Sequence, residues 1–249
     1  MAIAKERLGE NSLIPNWTWY DHLARYHFAA QFVKDKILLD CACGAGVGTE
    51  IFAKEGAKEI IGVDVSDAAL EQARQRTTPF NCTFKKGDAT HLPVKDRSVD
   101  VYISLETIEH INEVDSYLSE AKRVLKDDGV FICSTPNRRV SNPGKTLDDK
   151  PWNRYHVREY DHKEFAGLLS RSFPLIEWHG LNPNSIKKTS LLNAIGAHTP
   201  FHFALRINQV YKLMNMFFDR PAYHRVVPWD HKWDYEFFIA VCRFYERST

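Results

Sequence analysis

Asp40-Cys-Ala-Cys-Gly-Ala-Gly-Val-Gly48, preceded by the apolar residues Ile37-Leu-Leu39, is the stretch that decides the fold of this chain. A short apolar run that leads into closely spaced glycines is typical of a buried strand, a tight turn and the start of a helix. A second run, Ile60-Ile-Gly-Val-Asp64, adds another strand that ends on a carboxylate. This order predicts an α/β protein that holds a nucleoside.

The glycines and two carboxylates of this unit suit close contact with such a ligand. Gly44 and Gly46 lack a β-carbon where the backbone must turn sharply and approach the ligand. Asp64, at the end of its strand, can accept hydrogen bonds from both hydroxyls of a ribose. Asp40 places a second carboxylate at the mouth of the turn, where it would repel a pyrophosphate but attract an ammonium group. S-adenosylmethionine carries such a group, so these features favour it as the ligand.

The glycine spacing argues against a dinucleotide. A dinucleotide fingerprint has the pattern G-x-G-x-x-G, whereas the glycines here lie at positions 44, 46 and 48 and position 49 is Thr. The third glycine is therefore displaced. Together with Asp40, this displacement disfavours a nicotinamide oxidoreductase.

The chain resembles the class I S-adenosylmethionine-dependent methyltransferases, in particular small-molecule enzymes such as the ubiquinone-pathway O-methyltransferases and those that modify sugars and natural products. The resemblance covers residues from about 20 to 180 and the last strand. Besides the stretches above, it rests on Lys86-Gly-Asp-Ala89, Ser98-Val-Asp-Val-Tyr-Ile-Ser-Leu-Glu-Thr-Ile-Glu-His110, Arg123-Val-Leu-Lys-Asp-Asp-Gly129 and Ser134-Thr-Pro-Asn137. It implies S-adenosylmethionine as the cofactor.

Hydrophobic periodicity predicts alternating strands and helices. We expect strands over residues 36–41, 59–64, 82–86, 99–104, 129–134 and 173–180, with helices after the first, second, fourth and fifth of them. This order predicts a doubly wound parallel sheet. The resemblance implies a Rossmann-like, seven-stranded α/β sheet in which the last strand, at residues 235–244, is antiparallel.

The chain is predicted to form one domain, because 249 residues can bury a single large core. Residues 1–34 are expected to form an N-terminal helical cap, and residues 35–180 with 235–249 the cofactor-binding core. Residues 181–234 are expected to be an inserted lid with an aromatic helix near residues 201–218, since such long loops are usually functional. A packing or dimer helix is the alternative interpretation.

Composition points to a small substrate. The 33 basic and 32 acidic residues give a net charge of +1, which does not favour a nucleic-acid partner. No run approaches the roughly 18 apolar residues of a membrane span, and the N-terminus lacks a signal-peptide pattern. The five cysteines lack paired spacing, which favours reduced thiols and no metal site. We therefore expect a cytoplasmic protein.

The resemblance distributes the cofactor site over several motifs. Asp40, Gly44 and Gly46 are expected around the methionine moiety, while Leu105 is expected beside the sulfonium. Arg25 is expected to neutralise the methionine carboxylate, although a solvated surface arginine is the alternative. The other residues of the set are expected at the ribose, the adenine and the closing helix. The complete set is Arg25, Tyr26, Asp40, Ala42, Gly44, Gly46, Asp64, Val65, Asp88, Ala89 and Leu105.

The candidate catalytic residues are His110, Glu109 and His156. Methyl transfer from a sulfonium is an in-line displacement that needs alignment and exclusion of water. A hydroxyl acceptor also needs a base, whereas an amine need only be neutral. His110 is the favoured base because it follows a strand at the carboxyl edge of the sheet. A helix-cap role for His110 and a self-satisfied loop around His156 are the alternatives.

These observations predict methyl transfer to a small molecule, with a hydroxyl of a sugar or secondary metabolite ahead of an amine. The even charge balance argues against RNA or protein as the acceptor. A catalytically silent, cofactor-binding subunit that grips a partner with its insertion is the alternative from another class. A homodimer formed through the helix near residues 201–218 is also compatible with the sequence.

Overall fold

The computed structural model describes residues 16–77, 80–196 and 224–245. Its strands are β1 Ile37–Cys41, β2 Glu59–Asp64, β3 Cys82–Lys86, β4 Val99–Leu105, β5 Leu125–Pro136, β6 Leu175–Ser185, β7 Val226–Pro228 and β8 Trp233–Arg243. Its helices are α1 Asn16–Ala30, α2 Val47–Lys54, α3 Asp67–Thr77, α4 Val114–Val124, α5 Arg138–Ser141, α6 His162–Leu169 and α7 Ile186–Gly196, with a 3-10 turn at Ile108–His110. Within the described residues β4 follows β3 directly, and helices separate the other consecutive strands from β1 to β6.

The strands form one mixed sheet in the order β3-β2-β1-β4-β5-β8-β6-β7. The neighbouring strands from β3 to β5 are parallel, whereas β8 is antiparallel to both β5 and β6. The antiparallel last strand is therefore confirmed. The predicted count of seven strands is wrong, because β7 adds an eighth strand beside β6. Three residues are too few for hydrophobic alternation to be recognised as a strand.

The boundary between core and insertion also differs from the prediction. β6 continues to Ser185, five residues past the expected end of the core at position 180, and β8 begins at Trp233. Two buried asparagines, Asn182 and Asn184, hide this extension because their polarity breaks the apolar pattern of the strand. The predicted helix near residues 201–218 and the first part of the N-terminal cap lie outside the described residues.

Two apolar layers cover the sheet. Side chains of successive strand residues point to opposite faces, and Leu38 and Leu39 accordingly belong to different core clusters. One cluster packs against α4 and α6, and the other packs against α1 and α2. This arrangement is doubly wound and leaves the carboxyl ends of the central strands as the edge where ligands bind.

Two further predictions concern the membrane and the cysteines. None of the helices in the described ranges has the length and apolar character that crossing a membrane would need. All five cysteines lie within those ranges and carry free thiols. Burial raises the pKa of the Cys41 thiol to about 12 and that of Cys133 well above its usual value, so both are uncharged packing groups.

Candidate active site

A cavity of about 830 Å³ opens at the carboxyl ends of β1, β2 and β4. α1, the 3-10 turn and residues 153–157 complete its wall. Every predicted site residue except Asp40 and Gly46 lines this cavity. Its volume lies within the range of sites that enclose small molecules and cofactors. The structure thus brings together residues from distant parts of the chain.

The carboxylate of Asp64 is fixed by two backbone amides. Gly44 donates its N–H to Oδ2 at 3.0 Å, and Ser66 donates its N–H to Oδ1 at 2.8 Å. These two bonds hold the carboxylate at the carboxyl end of β2, on the cavity wall. Gly44 has φ +54°, and a β-carbon there would meet no atom within 4 Å. Glycine adopts this left-handed conformation without strain, and its bare backbone faces open space.

Asp40 and Gly46 lie behind this loop rather than on the cavity wall. The Thr49 hydroxyl donates to Asp40 Oδ2 at 2.5 Å. Burial raises the pKa of Asp40 to about 7; the Thr49 hydrogen bond opposes this shift and the charge of Asp64 adds to it. At Gly46 a β-carbon would lie 2.8 Å from the β-carbon of Ala73 in α3. Neither residue lines the cavity, and the ligand contact expected of Asp40 and Gly46 stays a prediction.

Arg25 is buried at the cavity wall. Its guanidinium lies 4.3 Å from the centroid of the Phe237 ring, and its Nε is 3.8 Å from Glu106 Oε1. Nε and Nη1 have no hydrogen-bond partner within the part of the chain that the structure describes. The alternative of a solvated surface arginine is wrong. A buried guanidinium with unused donors suits an anionic group such as a carboxylate.

Tyr26 packs beneath the glycine-rich turn. Its ring meets Phe52 edge-on at a centroid distance of 6.1 Å. A β-carbon at Gly48 would lie 2.6 Å from Cε1 of this ring. The glycine at position 48 therefore leaves room for Tyr26, which gives the displaced third glycine a packing reason.

The three predicted catalytic residues meet where a loop folds over the 3-10 turn. The Glu109 carbonyl accepts the N–H groups of Val157 and Arg158 at 2.7 and 3.2 Å. These bonds bring the rings of His110 and His156 into a T-shaped contact with centroids 4.8 Å apart. Glu109, His110 and His156 each offer one ligand atom, and these atoms lie within 4.8 Å of one another.

Hydrogen bonds define how the two imidazoles are oriented. His110 Nδ1 lies 2.9 Å from the Tyr155 carbonyl, which can only accept, so Nδ1 carries a proton and Nε2 of the neutral imidazole carries the lone pair. His156 Nδ1 lies 2.5 Å from Glu159 Oε1, and its Nε2 lies 2.9 Å from the side-chain amide of Asn153. Each ring therefore has its Nδ1 bound to an oxygen acceptor.

Glu159 is a site residue that the sequence reasoning missed. Its buried carboxylate accepts the Asn142 amide at 2.6 Å and the Ser141 hydroxyl, in addition to binding His156. The spacing His156-Val-Arg-Glu159 is the signal that could have identified it, because a turn over three residues brings these side chains together.

Glu109 carries an unsatisfied buried carboxyl oxygen. Its Oε2 accepts the Thr135 hydroxyl at 3.1 Å, whereas Oε1 has no hydrogen-bond partner among the described residues. Burial raises the pKa of Glu109 well above its usual range, and the nearby charges of Glu106 and Glu159 add to the shift. An unpaired buried oxygen is costly, so this one is available to a ligand.

Comparisons with known proteins agree with this architecture. Residues 39–133 match the family described as "Methyltransferase domain". A "probable S-adenosylmethionine-dependent methyltransferase" from Mycolicibacterium smegmatis is 34% identical over 154 residues, which cover 62% of this chain and 58% of the relative. A ubiquinone biosynthesis O-methyltransferase from Ruegeria sp. is 32% identical over 150 residues, which cover 59% of this chain and 60% of the relative. The chain thus spans less than two thirds of the length of these curated relatives.

A solved structure shows the same fold over nearly the whole chain. It is a methyltransferase from Thermotoga maritima described as a possible histamine N-methyltransferase, with a TM-score of 0.59 and 18% identity. The match covers 92% of this chain and 94% of the other. At this identity the likeness concerns the fold alone.

Proposed function

We propose that this chain transfers the methyl group of S-adenosylmethionine to a small-molecule acceptor. Residues 39–133 match the methyltransferase-domain family, and a relative over 62% of the chain is described as a probable S-adenosylmethionine-dependent methyltransferase. The predicted family and cofactor are confirmed by the comparisons above. The observation that carries the proposal is that Asp64 lines the same cavity as the cluster of Glu109, His110 and His156. One end suits the cofactor and the other suits an acceptor.

In this proposal the cofactor lies along the carboxyl ends of β1, β2 and β4. Asp64 accepts the ribose hydroxyls, and the unused donors of Arg25 bind the methionine carboxylate. Asp88 and Ala89 contact the adenine, while Leu105 flanks the sulfonium. All five residues line the cavity, which supports this assignment.

We propose a hydroxyl as the acceptor group. His110 Nε2 has the lone pair needed to accept a hydroxyl proton as oxygen attacks the methyl carbon. Glu106, Tyr155 and His156 surround it on the cavity wall, and such polar walls suit a sugar or another oxygen-rich metabolite. N-methylation of an amino sugar or other small amine is the second candidate, because the carboxyls of Glu106 and Glu109 would also attract an amine.

The test is transfer of labelled methyl from S-adenosylmethionine by the purified protein into an extract of the source cells. The extract is then separated into small molecules, protein and nucleic acid, with extract lacking the added protein as the control. Label in the small-molecule fraction supports the proposal and supplies the product for identification. Label in protein or RNA would contradict it. Cofactor binding without transfer into any fraction would favour the silent partner subunit.

A further inference from the structure

We propose that Glu109, His110 and His156 bind a divalent first-row transition-metal ion, such as Zn²⁺ or Co²⁺, at the acceptor end of the cavity. The ion binding itself is independent of the reaction, whereas its chemical role rests on the proposed function. The sequence predicts no metal site, because that expectation came from cysteine spacing. The donors here are two imidazoles and a carboxylate, which only the fold brings together.

The donor set and its spacing suit such an ion. Two imidazole nitrogens and one carboxylate oxygen favour zinc, iron, cobalt or nickel over magnesium and calcium, which prefer oxygen ligands. The three ligand atoms lie within 4.8 Å of one another. Ligands at about 2.1 Å from one ion are at most about 4.2 Å apart. Small movements of the side chains would therefore close the site.

The buried oxygen of Glu109 is an independent indication of a ligand. Glu109 is 1% exposed, and its Oε1 has no hydrogen-bond partner among the described residues. Leaving such an oxygen unpaired costs free energy. A cation bound at this cluster through that oxygen would supply the missing partner.

The surroundings of both histidines match those of metal ligands. A histidine that binds a metal through one nitrogen usually donates its other N–H to a carboxylate or a backbone carbonyl. His156 binds Glu159 in this way at 2.5 Å, and His110 binds the Tyr155 carbonyl at 2.9 Å. With both Nδ1 atoms bound to oxygen acceptors, the ion would be coordinated through Nε2 of each ring. At His156 the ion would replace the hydrogen bond from Asn153.

The ion would change how the acceptor is activated. A hydroxyl bound to it has a lowered pKa and releases its proton to water. The oxygen then forms a bond to the methyl carbon while the bond from that carbon to sulfur breaks, and S-adenosylhomocysteine leaves. In the loaded protein His110 coordinates the ion, and the ion takes over the activation assigned to this histidine in the metal-free protein.

The test is equilibrium dialysis of the full-length, tag-free protein against Zn²⁺ after treatment with a chelator, with the visible absorption of bound Co²⁺ as a second readout. We expect one ion per chain, and binding at least about tenfold weaker in Glu109→Gln and in His110→Gln. Glu159→Gln should weaken binding about 10- to 100-fold, because the carboxylate orients His156. His27→Ala is the matched control, since His27 is exposed on α1 and should leave binding unchanged.

Equal binding by the wild type and the three site variants would overturn the inference, as would loss of binding in His27→Ala or the absence of bound ion. S-adenosylmethionine affinity measured on the same samples shows that each variant is folded. A protein that binds the cofactor and transfers methyl but binds no ion in the dialysis would refute the metal site alone. A protein that binds the ion at this cluster but transfers no methyl would refute the proposed function alone.

Discussion

At the scale of single residues, Asp64 connects the glycine-rich turn with the end of β2. Replacing it with Ala removes the acceptor for the Gly44 and Ser66 amides as well as the proposed ribose contact. We expect Asp64→Ala to weaken S-adenosylmethionine binding by about 1.5–3 kcal/mol, as measured by calorimetry. Asp67→Ala, which removes an exposed carboxylate of α3, is the control. Unchanged affinity in Asp64→Ala would refute the placement of the ribose.

Asp40 allows a prediction about stability rather than binding. Its pKa is raised to about 7 in the folded protein, compared with 3.8 for a free side chain. Between these values the folded state holds a proton that the unfolded state has lost, so rising pH costs stability. Asp40→Asn removes this pH-dependent contribution to the free energy of unfolding and keeps an oxygen that can accept the Thr49 hydroxyl.

The free energy of unfolding of Asp40→Asn should therefore increase relative to the wild type by up to about 3 kcal/mol between about pH 5 and about pH 8. Urea unfolding of both proteins at the two pH values measures it. Groups common to both proteins cancel in the difference. A difference that stays constant across this range would show that Asp40 is charged in the folded protein at both pH values.

The two carboxylates also show what sequence can predict at this scale. The position of Asp64 follows from its place at the end of a strand in a parallel sheet. The orientation of Asp40 could not be predicted, because it depends on a hydrogen bond to Thr49 across the turn. Glu159 was missed for a similar reason: its role depends on a loop whose backbone bonds to Glu109 are not visible as a pattern.

At the scale of elements, α4 shows a clear correspondence between sequence and packing. Its stripe of apolar residues, at helical spacing, is buried against β5 and its neighbours. Leu118 is 2% exposed, whereas Ser119 on the same helix is exposed. Leu118→Ala should lower the free energy of unfolding by about 2–5 kcal/mol, and Ser119→Ala should change it by less than about 0.5 kcal/mol. Denaturant unfolding measures both, and equal effects would show that the helix does not bury this stripe.

Elements with mixed polarity were harder to predict. β6 carries Asn182, whose amide donates to Asp21 at 2.8 Å and to Glu236 at 3.0 Å. Because these partners lie far away along the chain, no local pattern marks the asparagine as a buried strand residue. Hydrophobic periodicity therefore identifies strands whose buried side chains are apolar. It misses strand segments whose buried side chains are polar and hydrogen-bonded.

At the scale of the whole molecule, Asp21, which binds Asn182, also connects His224 of the proposed lid with the helix α1 on the cavity wall. His224 Nδ1 lies 2.7 Å from Asp21 Oδ1, and Asp21 belongs to α1, the helix that also carries Arg25. At the other end of the segment, Asn193 in α7 donates to the Arg139 carbonyl at 2.7 Å. Asn193 and His224, which lie in the described residues on either side of positions 197–223, therefore both bind elements packed around the core.

These connections support the proposal that residues 197–223 contribute to acceptor binding. We expect a Gly/Ser segment of equal length in their place to leave S-adenosylmethionine affinity within about twofold, because the predicted cofactor residues all lie between positions 25 and 105 of the chain. Transfer of labelled methyl into the small-molecule fraction should fall by at least about tenfold, because long insertions in compact domains usually carry function. Calorimetry and the labelled transfer assay on the same preparation measure the two effects. Full transfer by the replaced protein would assign the segment to packing or to contact between subunits, whereas loss of cofactor binding would place it in the cofactor site.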